Sequence, residues 1–394
     1  MLDTFKGTDG SFPTGSLVRD SAGNLYGTTS GGGTGGCDGY GCGTAFKMNK
    51  QGKEVWLYSL KGTNEIDPTA GLLRDASGNL YGTTENGGKA MKTCGGVQGG
   101  GCGTVFKVDK AGKGTVLYKF KGTPDGYNPQ ALLVKDAGGN LYGTPYIGGA
   151  NGLGAVFKLD TNGKETILHS LAGPPEGGGD GAFSYDGVIR DAAGNLYGVT
   201  AAGGAYGAGA VYKLDTSGKE TLLHSFAGYP SDGGDPDSVL LLDSQGNLYG
   251  ATANGGSSAV CDGGCGTVFQ LSSQSGGNWI ETVVYSFCSL ENCADGERPV
   301  GGPLARDSAG NIYGNTIFGG SYRNCNGDAC GVIFKLDPTG KETVLHSFTG
   351  GADGAFPVAG LTMDSSGNLY GTAWQGGAKC FTSYTCGVVF MITP

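Results

Sequence analysis

The chain has 394 residues, a formal net charge of −9 at pH 7 and 82 glycines, about three times the usual glycine content. The negative charge, without a basic stripe, argues against nucleic acid and anionic membranes as partners. The glycines fall in register with a sequence repeat, so they indicate regularly placed turns and argue against a disordered chain.

The first predicted element is a short β-strand over residues 1–7, whose sequence aligns with residues 344–350. The chain then repeats itself seven times, at spacings of 52 to 64 residues, around the motif Gly-Asn-Leu-Tyr-Gly or a near copy of it. A repeat of this size cannot bury a core alone, so we expect the copies to pack on one another. The motif tyrosines are Tyr26, Tyr81, Tyr142, Tyr197, Tyr249, Tyr313 and Tyr370.

The second repeat illustrates the predicted content of every copy. Residues 71–75, 79–84, 103–109 and 115–120 are short runs rich in β-branched and aromatic residues, separated by Gly, Asn and Asp. Such runs are typical of strands, and no stretch shows sustained helical periodicity. Four strands in about 50 to 60 residues are the content of a β-propeller blade.

The last predicted element, residues 387–391, is a third strand with no fourth strand after it. The strand at residues 1–7 resembles a fourth strand and would complete that blade. Pairing of this strand with the last strand would hide the exposed edges of both. We therefore predict an all-β fold, a seven-bladed β-propeller of four-stranded antiparallel blades, closed into a ring by the N-terminal strand. A single domain would cover residues 1–394.

The twelve cysteines form six close pairs in the sequence. Five pairs lie in the loop between the second and third strands of a repeat, and one pair follows a fourth strand. An even count with local pairing predicts disulfides and an oxidising compartment. Zinc binding is the weaker alternative, because the Cys-x-x-Cys spacing is absent and no histidine lies in these loops. The pairs are Cys37 and Cys42, Cys94 and Cys102, Cys261 and Cys265, Cys288 and Cys293, Cys325 and Cys330, and Cys380 and Cys386.

Histidine and tyrosine share one position of the predicted fourth strand. That strand should be the outermost of each blade, far from the central channel. We therefore predict structural roles for these side chains, which argues against a histidine-based catalytic or metal site. The residues are His169, His224, His346, Tyr58, Tyr118 and Tyr285.

The repeated pattern is Asp-x-x-Gly-Asn-Leu-Tyr-Gly-Thr-Thr, then Gly-Gly, then Gly-Thr-Val-Phe-Lys, then Glu-Thr-Val-Leu-His-Ser-Phe. This pattern resembles the GloVer tandem repeat of bacterial surface and secreted proteins described as choice-of-anchor proteins. It is also similar to NHL-type and gluconolactonase-like propellers. The resemblance implies the fold and an extracellular location, but not an activity, because those propellers include both enzymes and binding scaffolds.

Function should lie where the repeats differ, in the long loops of one face. Two variable residues follow each Gly-Thr-Thr or its equivalent, and we expect them to surround the mouth of the channel. Trp374, Tyr146 and Phe318 are large aromatic residues at these positions, and exposed rings beside amide groups are typical of sugar-binding clefts. Packing beneath neighbouring loops is the alternative for each ring, and it is favoured for Phe318. The amides of this set are Gln375, Asn86 and Asn254, and further aromatic residues in the following loops are Tyr40, Tyr206, Tyr322 and Tyr384.

Acidic residues in the same loops suggest a second kind of chemistry. Glu85 lies at a variable position and is the candidate catalytic carboxylate. Asp67, Asp125 or Asp186 could serve as its partner in a hydrolase pair. For each acid, a solvated loop charge is the alternative.

Two arginines and three aspartates complete the candidate ligands. Arg298 and Arg323 are cations outside the repeat pattern and could hold a carboxylate-bearing ligand. Asp232, Asp235 and Asp237 could bind calcium through hard oxygen ligands, although they lack the spacing of an EF-hand loop. Calcium is the only cofactor that the sequence suggests.

The sequence leads to a first hypothesis of a secreted or surface-displayed monomeric propeller that binds a polysaccharide or another surface glycan without catalysis. A carbohydrate-active hydrolase or lyase, with carboxylates at the channel mouth, is the second hypothesis. A structural module of the cell surface is the third. We expect no nucleic-acid partner and no membrane insertion, since no apolar run is long enough to span a bilayer.

Overall fold

The structure is a computed structural model that describes residues 1–37, 39–62, 65–88, 94, 100–174, 179–325, 328–380 and 384–394. Within these ranges the regular elements are thirty β-strands and one short 3₁₀ helix, Glu291–Cys293. The strands form seven antiparallel sheets, arranged as the blades of a propeller. The predicted all-β, seven-bladed fold is confirmed.

Blades 1 to 4 each contain four strands in sequence order, and the first strand of each pairs only with the second. Blade 1 contains β2 (Val18–Arg19), β3 (Leu25–Thr29), β4 (Thr44–Met48) and β5 (Glu54–Ser59). Blade 2 contains β6 (Leu73–Arg74), β7 (Leu80–Thr84), β8 (Thr104–Val108) and β9 (Gly114–Lys119). Blade 3 contains β10 (Val134–Lys135), β11 (Leu141–Gly143), β12 (Ala155–Leu159) and β13 (Glu165–Ser170). Blade 4 contains β14 (Val188–Arg190), β15 (Leu196–Thr200), β16 (Ala210–Leu214) and β17 (Glu220–Ser225).

Blades 5 and 6 carry an extra short strand that pairs with a lengthened second strand. Blade 5 contains β18 (Gly233–Pro236), β19 (Leu241–Leu242), β20 (Leu248–Gly255), β21 (Thr267–Ser273) and β22 (Trp279–Ser286). Blade 6 contains β23 (Glu297–Pro299), β24 (Ala305–Arg306), β25 (Ile312–Phe318), β26 (Val332–Leu336) and β27 (Glu342–Ser347).

Blade 7 combines both ends of the chain. It contains β1 (Asp3–Thr4), β28 (Thr362–Met363), β29 (Leu369–Ala373) and β30 (Val388–Ile392). In the antiparallel ladder between β1 and β30, Asp3 lies opposite Val389 and Thr4 lies opposite Val388. The N-terminal strand therefore occupies the outer position that the fourth strand has in the other blades.

The repeated motif builds one small network in every blade. In blade 1, the Asp20 carboxylate accepts hydrogen bonds from the Asn24 side chain at 2.8 Å and from the Tyr26 hydroxyl at 2.9 Å. Gly27 follows this tyrosine because a Cβ there would approach the Phe46 ring to 2.6 Å. The motif therefore joins the turn between the first two strands to the second strand, and makes room for an aromatic ring on the third.

Aromatic rings also join neighbouring blades. Phe120, directly after the fourth strand of blade 2, meets Phe157 on the third strand of blade 3 edge to face, with centroids 5.3 Å apart. Arg74 of blade 2 lies over the Tyr26 ring of blade 1, 5.4 Å from its centroid. These contacts recur around the ring, so the core is divided among the blade interfaces.

All twelve cysteines are paired as the sequence predicted. The disulfides are Cys37–Cys42, Cys94–Cys102, Cys261–Cys265, Cys288–Cys293, Cys325–Cys330 and Cys380–Cys386. Each closes a loop locally, over four to eight positions of sequence. Within the described ranges, no helix has the length and apolar character needed to cross a membrane.

Candidate functional site

One residue in every blade adopts left-handed backbone geometry where the loop from the preceding blade reaches its first strand. The seven φ angles lie between 53° and 62°, and none of the residues is glycine. Each residue donates its N–H to a carbonyl oxygen of the preceding blade, as Asp67 does to Cys42 at 3.2 Å. Such geometry costs of the order of 1 kcal/mol, so it persists only where both blades hold it in place. This left-handed ring consists of Phe12, Asp67, Asn128, Phe183, Asp235, Arg298 and Phe356.

The predicted variable positions lie beside the left-handed ring. In blade 2, Glu85 donates its N–H to the carbonyl of Asp67 at 2.9 Å, and Asn86 forms a β-bridge with Ile66. The second variable residue pairs with the incoming loop in every blade. These pairs are Gly31 with Ser11, Asn86 with Ile66, Ile147 with Tyr127, Ala202 with Ala182, Asn254 with Gly234, Phe318 with Glu297, and Gln375 with Ala355.

Below this rim lies a central channel with a cavity of about 420 Å³. Every blade contributes to its wall. Trp374 and Tyr185 also line the cavity. One wall residue from each blade, in order, is Ser16, Thr69, Gln130, Asp186, Asp237, Gly301 and Val358.

A second cavity of about 360 Å³ opens where blade 7 meets blade 1. We call it the aromatic cleft, because Phe12, Tyr40, Trp374 and Tyr384 line it. The Phe12 ring lies 5.7 Å from Trp374 and 6.2 Å from Tyr384. The side chains of Trp374, Tyr40 and Tyr384 remain 36%, 52% and 46% exposed. Trp374 borders both cavities, so the aromatic cleft and the channel meet at this residue.

The other two predicted aromatic residues pack against neighbours. Tyr146 stacks on Tyr185 at a centroid distance of 4.5 Å, and their hydroxyl oxygens are 2.9 Å apart. Phe318 meets Phe356 edge to face at 5.7 Å. Tyr146 and Phe318 therefore present less free ring surface than Trp374. The remaining predicted amide, Gln375, holds the rim through its bridge to Ala355.

Glu85 has an acidic neighbour on the aromatic-cleft side of the channel. Burial raises the pKa of Glu85, the charge of Asp67 raises it further, and a hydrogen bond from Gln130 lowers it. Burial also raises the pKa of Asp67, whose Oδ2 accepts a hydrogen bond from the Asn86 amide at 3.0 Å. Asp67 lines the aromatic cleft and Gln130 lines the channel. Glu85 and Asp67, which the sequence suggested as a possible pair, thus lie close together.

The other two predicted partners of Glu85 lie elsewhere. Asp125 accepts a hydrogen bond from Tyr118 of the fourth strand, at the outer side of blade 2. Asp186 lies in the channel, and its carboxyl group is in hydrogen-bonding contact with that of Asp237. Burial raises the pKa of both, and the charge of Asp237 raises the pKa of Asp186 further. The Oδ2 atom of Asp186 is buried and has no hydrogen-bond donor among the described residues.

The three aspartates considered for calcium have different surroundings. Asp232 accepts hydrogen bonds from the Ala227 N–H at 2.8 Å and contacts His224 Nε2 at 3.2 Å. Asp235 accepts a hydrogen bond from Asn254 at 3.3 Å, while Asp237 lies in the channel. Within the described ranges, the ligand atoms of Asp232, His224 and Glu281 lie close enough together to hold one metal ion. Asp232, Asp235 and Asp237 do not form such a group there.

The two arginines lie together in a third cavity of about 340 Å³, between blades 5 and 6. Arg298 Nε is 4.0 Å from Glu297 Oε1, and Arg323 donates to the carbonyl of Asn292 at 3.3 Å. Phe318 lines the same cavity. The arginines are therefore separate from the aromatic cleft.

Sequence reasoning missed the left-handed ring and the pairing of Asp186 with Asp237. A signal for the recurring position was present, because six of its seven residues precede proline, but proline there normally favours extended backbone and so did not predict the left-handed geometry. No local signal marks the aspartate pair, because its members come from two blades and become neighbours only when the folded blades form the channel wall.

A family model of the Gloeobacter/Verrucomicrobia repeat matches residues 36–261 and 261–394. None of the curated proteins gives a significant sequence match. Among solved structures, a Bacteroides uniformis protein described as a candidate 6-phosphogluconolactonase is similar, with 15% identity and a TM-score of 0.53 over 91% of this chain and 89% of its own. A fungal AA5-family alcohol oxidase in complex with copper has 16% identity and a TM-score of 0.60, over 100% of this chain and 75% of its own. At these identities the likeness shows the fold alone.

Proposed function

Since the chain belongs to the Gloeobacter/Verrucomicrobia repeat family, we propose that this propeller is an extracellular glycan-binding module whose ligand lies in the aromatic cleft. Six disulfides support an extracellular location, because such bonds persist in oxidising compartments. The family match also supports an extracellular location, because the repeat resembles that of bacterial surface and secreted proteins.

The exposed ring of Trp374 is the observation that carries the proposal. The ring lies between Phe12 and Phe356, at centroid distances of 5.7 Å and 6.5 Å, and the backbone N–H of Trp374 donates to the Phe356 carbonyl at 3.0 Å. Rigid rings beside a few polar groups form sites that bind ligands with low entropic cost. The Asp67 carboxylate at the cleft can accept hydrogen bonds from sugar hydroxyls. These exposed rings favour a binding role over a purely structural module.

The proposal predicts that Trp374→Ala weakens glycan binding at least about tenfold, since loss of a stacked ring removes on the order of 1 kcal/mol or more. Affinity would be measured by calorimetry for the best ligand from a screen of neutral, acidic and amino-sugar polysaccharides. Tyr206→Ala is the matched control, because Tyr206 is 69% exposed and does not line the aromatic cleft. Equal affinity in wild type and Trp374→Ala would contradict the assignment.

Hydrolysis is the second candidate function, favoured by the closeness of Glu85 and Asp67 beside the cleft. The raised pKa of Glu85 suits a general acid. If the protein cleaves its ligand, we expect Glu85→Gln to lower the rate of product release at least about a hundredfold, with binding retained. Chromatography of the same incubations would detect shortened products. Wild-type binding without products, or full activity in Glu85→Gln, would remove this role from Glu85.

A further inference from the structure

The pair formed by Asp186 and Asp237 has no counterpart in the repeat pattern. Asp186 is contributed by blade 4 and Asp237 by blade 5, each at the wall of the central channel. Elsewhere in the wall, the corresponding stretches provide Ser16, Thr69 and Val358. Two carboxyl groups therefore face each other at one side of an otherwise neutral wall segment.

Contact between the two carboxyl groups is stable only if a cation or a proton lies between them. Both groups accept hydrogen bonds when ionised, and neither can then donate. The Gly302 N–H donates to Asp186, yet Asp186 Oδ2 is buried without a donor among the described residues. Asp235 adds a third negative charge nearby, and Arg298 is the cation that faces Asp235. The carboxyl pair is therefore neutralised either by a proton that the two groups share or by a bound cation.

The surroundings favour an organic cation over a metal ion. Calcium requires six to eight oxygen ligands. The wall near the pair instead presents Tyr185, Val239 and Val300, and Trp374 lies at the junction with the aromatic cleft. Aromatic faces attract ammonium groups, and apolar walls accept the carbon skeleton that carries them.

We infer that the carboxyl pair of Asp186 and Asp237 is a subsite for the ammonium group of an amino sugar whose ring stacks on Trp374. This inference rests on the proposed function and narrows the ligand to a glycan with free amino groups. Binding is an exchange of cations: the ammonium group forms hydrogen bonds to both carboxylates, and the proton that they share leaves to the solvent. No covalent bond is formed or broken other than this O–H bond.

The test compares a glucosamine oligomer with its N-acetylated counterpart of equal length, by calorimetry at about pH 5.5, where the sugar amines are protonated. We expect the glucosamine oligomer to bind wild type at least tenfold more tightly. Asp186→Asn and Asp237→Asn should each lower this affinity at least tenfold, and lower it far more than the affinity for the N-acetylated oligomer. Repeating the titrations in buffers of different ionisation enthalpy should reveal proton release in wild type and none in Asp237→Asn.

Asp262→Asn is the charge-matched control, because Asp262 is exposed in a loop of blade 5 and does not line the channel. The Asn variants should remain folded, since an amide can donate to the remaining carboxylate, and their thermal midpoints check this. Equal affinity for the two oligomers, or an equal loss in Asp262→Asn, overturns the inference. Heat from calcium chloride alone that disappears in Asp237→Asn would also overturn it, in favour of a metal site.

Failure of the inference can be told apart from failure of the proposed function. If neutral or N-acetylated oligomers bind in a Trp374-dependent manner without preference for free amines, the amine subsite is wrong and the glycan cleft stands. If no oligomer binds and no polysaccharide in the screen binds, both proposals fail.

Discussion

Gly82 shows how a single atom limits what the repeat can contain. It follows the motif tyrosine Tyr81 on the second strand of blade 2. A Cβ at this position would lie 2.8 Å from the Phe106 ring and 2.9 Å from Leu72. Phe106 is fully buried, so neither neighbour can move away without disturbing the core of the blade.

Gly82→Ala should therefore lower the free energy of unfolding by about 1–3 kcal/mol, the usual cost of overpacking a core. The midpoint of denaturant unfolding would measure this. Gly234→Ala is the control, because a Cβ there meets its nearest atom at an ordinary 3.4 Å and the residue does not have a positive φ. A loss at Gly234 as large as that at Gly82 would show that backbone effects, rather than crowding by Phe106, dominate.

The charged residues of the site were predictable in kind, but their partners were predictable only in part. Glu85 stands out in the sequence because it occupies a position that varies between repeats, and the structure places it beside Asp67. Asp186 and Asp237 were each assigned to other groups, with Glu85 and with Asp232. Their contact depends on the width of the channel and on the tilt of two blades, which no local pattern encodes.

At the scale of elements, strands were the most predictable features. Residues 79–84 and 103–109 were expected as strands, and β7 and β8 cover most of them. Runs of β-branched and aromatic residues, and the turn residues between them, are local properties, so a sequence reveals them. The left-handed ring behaves differently. Residues before proline normally adopt extended backbone, and Asp67 is held at φ 57° by its bond to Cys42 of the neighbouring blade.

At the scale of the whole molecule, the interfaces between blades carry acidic groups at a regular position. Glu165 and Glu342 begin the fourth strands of blades 3 and 6, and Glu281 lies at the equivalent position of the fourth strand of blade 5. Burial and, to a smaller extent, the charge of an aspartate in the loop from the preceding blade together raise the pKa of each glutamate to about 7. One oxygen of each carboxyl group is buried without a hydrogen-bond partner among the described residues.

These glutamates predict that stability increases as the pH falls from about 7 to about 5. In the unfolded chain their pKa is near the ordinary 4.5, so between these values the folded state holds protons that the unfolded state has lost. Denaturant midpoints measured across this range would show the trend. At lower pH the trend should reverse, because Asp75 and the equivalent motif aspartates have lowered pKa values. Simultaneous replacement of the three glutamates by glutamine should reduce the increase in stability between about pH 7 and about pH 5. An unchanged dependence of stability on pH would show that other groups cause the increase.

The pairing of β1 with β30 has a consequence for how the molecule is made. Asp3 is synthesised before all seven motif tyrosines and Val389 after them, yet the two lie side by side in one sheet. Blades 1 to 6 can assemble in order during synthesis, while β1 has no partner until β30 has been made. Contacts between such distant residues slow folding. β1, with the buried Phe5 directly after it, must therefore stay available for pairing until β30 is made, which makes it the segment that a chaperone would most need to protect.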